Sequence, residues 1–173
     1  MPAKLEYTMT DLAKQQFQLK LKLELIFWAL TLLLVGLLTY PLFSIMQDWS
    51  FVYANALFIV IFVTYTRHLF LLKYSFLAYA QWAKFVLIFA SIPLIFKLIE
   101  YTFNFQDFME SEGLPSFTPY FYPEVGIKQQ QQLLSYMKGE YLFFGVASII
   151  ATVLLPFRLL ISYWRVYNKQ GTV

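Results

Sequence analysis

Thr66–Lys84, reading TRHLFLLKYSFLAYAQWAK, is the stretch whose interpretation decides the fold. It is a cation-rich break between two long apolar runs, and it holds the only histidine of the chain, His68. Two placements are open. If the preceding helix runs on to Leu72 and the next begins near Phe76, Lys84 lies about 12 Å down that helix at ~1.5 Å per residue. It then needs a buried partner, for which Glu24 is the best candidate. If residues 67–84 lie largely outside the hydrocarbon, Lys84 sits at the surface and reaches headgroups by extending its side chain. A lysine at mid-membrane costs about 2.5–3.5 kcal/mol on insertion scales. That penalty favours the second placement.

Working outward, the flanking sequence reads as membrane spans. Of the 173 residues, 60% are hydrophobic, 21% aromatic and 13% charged, against about 25% charged in soluble domains. The apolar residues come in four blocks rather than as periodic stripes. Leu25–Met46 is 22 residues without a charge, longer than the roughly 7–15 of a cleavable signal core. The expected architecture is an all-α integral membrane protein. Its core is a four-transmembrane-helix bundle with one ordered, aromatic and acidic extracytoplasmic loop. Segment 1–22 precedes a membrane domain at 23–163, and a tail occupies 164–173. The spans fall at about 23–46, 51–72, 83–103 and 139–163, with the loop at 104–138.

Local signals refine this outline. Thr10 or Asp11 is suited to cap a helix that continues into the first span. Pro41 is expected to kink or end that span, and Pro93 and Pro156 fall inside the third and fourth. Residues 104–138 contain Pro115, Pro119 and Pro123 with too many aromatic residues for a disordered tail. Within them Tyr120, Phe121, Tyr122 and Glu124 form a candidate docking loop. The glutamines at 129–132 read as the start of a helix feeding the fourth span. In that span Gly145, Ala147, Ser148, Ala151 and Thr152 concentrate small side chains, a face on which membrane helices approach closely.

Charge sets the expected orientation. Lys4, Lys14, Lys20, Lys22, Arg67, Lys73, Lys84, Arg158, Arg165 and Lys169 fall on one side, and Lys97, Lys128 and Lys138 on the other. By the positive-inside rule both termini and the 66–84 connector face the cytoplasm.

Chemistry is sparsely represented. The chain has no cysteine and one histidine, which removes thiolate and iron–sulfur chemistry and leaves a zinc site short of ligands. No nucleophile-elbow, zincin or phosphate-loop motif occurs, so no catalytic residue, cofactor or metal is expected. The cations form no basic stripe for nucleic acid. Glu24, Arg67, His68, Lys84 and Arg158 make a candidate cluster at the inner surface: an ion pair, a lipid-headgroup site or an ion path. Lys97 and Glu100 stand at i, i+3 as a candidate outer pair. The resulting expectation is a non-enzymatic accessory or structural subunit of a larger membrane complex. Its partners would be the lipid bilayer and other membrane subunits or further copies of the chain. The alternatives are a homo-oligomeric channel or transport element using the inner cations, and a lipid-acting membrane enzyme.

Overall fold

In the computed structural model the backbone is described for residues 2–47 and 49–168, with side chains from residue 15 onward except those of 114 and 115. Lys169 and the rest of the 169–173 tail lie outside the described residues, as does Asp48 of the first turn. Four long helices account for most of the chain: α1 (Pro2–Ile45), α2 (Ser50–Leu71), α3 (Gln81–Ser111) and α4 (Ile127–Tyr167). All four are long and apolar enough to cross a membrane.

Helix α1 starts upstream of the expected cap, so Thr10 and Asp11 lie inside it. It also continues past Pro41 to Ile45. A proline so near the end of a helix frees a single carbonyl, and the neighbouring hydroxyls satisfy their own hydrogen bonds on the same helix. Thr39 Oγ1 donates to Val35 O (2.7 Å) and Ser44 Oγ to Pro41 O (2.9 Å). Pro93 and Pro156 are likewise internal to α3 and α4.

The loop expected at 104–138 contracts to residues 112–126, because α3 and α4 extend into it from both sides. The reason is local. Asn104–Ser111 holds no breaker, and Gln106 Nε2 donates to Glu110 Oε1 (2.9 Å) one turn on. The chain leaves α3 at Gly113, whose φ of 69° is accessible at low cost only to glycine. A 3₁₀ segment, Leu114–Tyr120, follows. The loop is pinned to the end of α1 by a short antiparallel bridge between Met46 and Phe121. Gln47 N donates to Tyr120 O (2.7 Å) and Tyr122 N to Ile45 O (3.1 Å). Beneath it Phe51 contacts the rings of Phe105, Phe108, Phe117 and Tyr120, and Phe105 stacks on Tyr141 at 3.9 Å.

At the opposite end of the bundle, two 3₁₀ turns (Leu72–Tyr74 and Phe76–Ala78) connect α2 to α3. We call the two ends the connector end and the loop end. At ~1.5 Å per residue α2 is about 33 Å long, close to the ~30 Å hydrocarbon thickness. The 31 residues of α3 and 41 of α4 overshoot that thickness.

Helix α4 packs along both α2 and α3, and α1 packs on α2. The seam of α4 is written in its buried residues: Tyr141, Gly145, Ser148, Thr152, Leu155, Leu159 and Ser162. They alternate spacings of four and three, the pattern that keeps one face on a neighbouring helix. Gly145 allows the closest approach: a Cβ there would stand 2.8 Å from Thr102 Oγ1. Ser148 and Thr152 enter this face without leaving a bare hydroxyl, donating to Gly145 O (2.8 Å) and Ser148 O (2.7 Å). Ala151 is buried beside the seam, whereas Ala147 is only half-buried and lines an open apolar groove with Phe62 and Phe70.

Candidate functional site

The connector end gathers the five residues of the predicted inner cluster, but divides them among separate interactions. One stripe of α1, Phe17, Lys20, Glu24 and Phe27, recurs every three or four residues and therefore lies on one face. Each member meets the connector or the end of α2. Phe17 packs on Phe76 (5.3 Å between centroids), and Lys20 Nζ lies 3.5 Å over the ring of Tyr79. Glu24 forms an ion pair with Arg67, and the Arg67 guanidinium also covers the ring of Phe27 at 4.7 Å. The two charged side chains retain 17% and 8% of their exposure. Each charge therefore compensates the other in largely buried surroundings.

Ser75 extends this pair. It caps the second 3₁₀ turn by accepting from Leu77 N (3.2 Å), donates to Glu24 Oε1 (2.9 Å), and lies 3.3 Å from His68 Nε2. His68 Nδ1 is 2.6 Å from Thr64 O. A carbonyl only accepts, so Nδ1 carries a hydrogen. Ser75 has one proton and gives it to Glu24, which leaves a neutral His68 Nε2 without a donor from Ser75; a protonated His68 would instead donate to Ser75 Oγ. Serine, histidine and carboxylate are thus within reach of one another, but not in the order used for acyl transfer. There the acid holds the histidine; here the carboxylate holds the serine and is neutralised by Arg67. What this arrangement does chemically is join α1, α2 and the connector.

Lys84 departs from both placements expected of it. Helix α3 begins at Gln81, so Lys84 stands in its first turn rather than deep along it. Yet its exposure is 0%, and it neither extends to a surface nor pairs with Glu24. The 3₁₀ turns fold over it, and its ammonium donates to Ala78 O (2.7 Å) and, across to α4, to Ser162 Oγ (2.9 Å). Leu72, Leu77, Leu155 and Leu159 form an apolar cluster at this same end. Arg158 donates from Nε to Leu69 O (3.1 Å), a carbonyl in the last turn of α2, where helical partners run out.

The outer candidates are simpler. Lys97 and Glu100 do pair (2.8 Å), with 62% and 52% exposure. Of the docking-loop residues, Phe121 is buried and Tyr120 half-buried, because the bridge to Met46 turns them onto the bundle; Tyr122 and Glu124 face outward.

Sequence reasoning overlooked Ser75, Ser162 and a third polar locus, Asn55 with Glu140. Both of these side chains are buried in the α2–α4 packing. Their legible signal was an amide inside the apolar run of α2 and an acid directly after Gly139, where α4 turns apolar. Among the described residues no group of three or more metal-binding side chains occurs. Comparison with protein-family models, curated proteins and solved structures finds no match for this chain.

Proposed function

We propose that the chain is a non-enzymatic four-span membrane protein and an accessory or structural subunit of a larger membrane assembly. In this reading the connector and both termini face the cytoplasm and the 112–126 loop faces out. The ten-to-three division of lysine and arginine supports that orientation.

The observation that carries the proposal is the unequal use of the helices. In the most apolar stretch of α4, 39% of residues are buried, against 6% in that of α1. Helix α1 is held at its connector-side stripe and at Met46, yet between them Leu30, Leu32, Leu33 and Leu37 stay exposed. Through the middle of α1, Thr31, Leu34, Val35, Leu38 and Thr39 face the bundle while those four leucines occupy the opposite face, and we take that open face as the surface another transmembrane chain covers. The inner cations support the same view: Arg67 is neutralised by Glu24, and Arg158 and Lys84 are committed to carbonyl and hydroxyl oxygens.

Site-specific photocrosslinking in native membranes tests the proposal. A benzophenone side chain at Leu33 or Leu37 of α1 should give adducts with a protein chain, while one at Phe89 of α3 should give lipid adducts. Lipid adducts alone from all three positions would contradict it.

A further inference from the structure

We propose that Asn55 and Glu140 form a buried site for one small monovalent cation, entered from the loop end of the bundle. This inference does not depend on the subunit role. Glu140 has 7% exposure and Asn55 0%, and neither carboxylate oxygen nor either polar atom of the Asn55 amide closes a hydrogen bond. Bare burial of a carboxylate is costly, so buried charges are normally paired or ligate an ion. A buried ionisable group within a membrane bundle marks a functional site by default.

No protein cation fills the role. Among the described residues the ion pairs are Arg67–Glu24 and Lys97–Glu100, and neither involves Glu140. The titratable groups on the surrounding stretches are Tyr40 of α1, Tyr53 of α2, Tyr101, the exposed Asp107 and the mutually paired Lys97 and Glu100 of α3, and Tyr136, Tyr141 and the exposed Lys138 of α4. Arg67 and His68 lie twelve or more residues from Asn55 along α2, about 18 Å away.

The donor set suits a single positive charge. Asn55 and Tyr136 are the polar side chains next to Glu140. The Tyr136 hydroxyl gives its hydrogen to Leu38 O (2.8 Å), leaving its oxygen lone pairs free to accept. Two carboxylate oxygens, an amide oxygen and a phenol oxygen make an all-oxygen environment with one negative charge. A divalent ion would remain half-neutralised there, whereas a proton or an alkali ion is matched.

The entry path is a separate observation. A groove of about 260 Å³ opens between α1 and α4, lined by Pro41, Ile45, Gln129, Gln132, Leu133 and Tyr136. Tyr136 is shared by the groove and the site, which makes the groove the approach to Glu140 in this proposal.

The test is thermal unfolding of the full chain in lipid nanodiscs, at acidic and alkaline pH. Sodium is exchanged for a bulky organic cation at constant ionic strength. If the site takes an alkali ion, a hundredfold excess of sodium over its dissociation constant raises the midpoint by about 5–10 °C at alkaline pH. Glu140→Gln abolishes that shift and Asn55→Ala weakens it. If the site takes a proton, sodium is without effect, and the wild-type midpoint falls from acid to alkaline pH more steeply than that of Glu140→Gln. Identical sodium and pH responses in wild type and Glu140→Gln would overturn the proposal. Should that variant not fold, the wild type decides alone: no sodium response and no infrared band from a protonated carboxyl group would overturn it equally.

Discussion

The two ends of the bundle bury ionisable groups by opposite means. At the connector end every buried charge has an assigned partner: Glu24 has Arg67 and Ser75, and Lys84 has Ala78 O and Ser162. At the loop end the buried Glu140 has no counter-charge among the described residues, only the neutral side chains of Asn55 and Tyr136 beside it. The difference teaches which end is a fastening and which a site. Groups paired with a counter-charge or with oxygens of a neighbouring element hold those elements in register. A buried carboxylate without a counter-charge is a poor fastening and calls for an explanation of its own, which the proposed cation supplies.

The comparison is broken most completely if the two ends do not lie on opposite sides of a membrane. The chain has no native cysteine, so single cysteines report cleanly. Cysteine at Thr118 should react with an impermeant thiol reagent applied outside intact cells, and cysteine at Lys73 only after permeabilisation. Labelling of both from one side would dismantle the four-span arrangement.

Next in size are charge changes at the connector end. Lys84→Glu would set a carboxylate against the Ala78 carbonyl in an enclosed site, and folded protein should be lost from detergent extracts. Arg67→Met leaves Glu24 partly buried and uncompensated. We expect a loss of about 3 kcal/mol, the low end of the ~3–5 typical of broken buried pairs, because Glu24 keeps some exposure. Adding Glu24→Gln to Arg67→Met should recover much of it in thermal unfolding, because no charge is then left alone.

The seam joining the two ends gives smaller effects. Gly145→Ala forces the Thr102 hydroxyl from its bond to Leu98 O (2.8 Å) or parts α3 from α4. The expected cost is about 1–3 kcal/mol. Ala147→Leu, directed into an open groove, should stay within about 0.5 kcal/mol. Equal effects of the two would mean that the seam is misplaced.

How much of this was legible in the sequence follows from range. Four apolar blocks, the small residues at 145–152 and the helical run after Lys128 are local patterns, and the structure contains the four helices and most of that packing face. The length of the loop was overestimated because polar, acidic helix ends resemble loop when read by composition alone. Lys84 was harder still. A surface lysine and one enclosed by its own connector have the same neighbours in sequence, and only the 3₁₀ turn that brings Ala78 to it and the packing of α4 that brings Ser162 distinguish them. Ser75 and Asn55 escaped for the same reason, their meaning coming from side chains 51 and 85 positions away that the fold sets beside them.

The central claim is that the Glu24 carboxylate fastens the bundle and the Glu140 carboxylate does not. It is tested most directly by measuring Glu24→Gln and Glu140→Gln side by side for thermal unfolding in sodium-free buffer at alkaline pH. Glu24→Gln should lower the midpoint, since Arg67 loses its counter-charge. Glu140→Gln should leave it unchanged or raise it, because a neutral amide beside Asn55 replaces an unpaired buried charge. A loss in Glu140→Gln as large as that in Glu24→Gln would contradict the account.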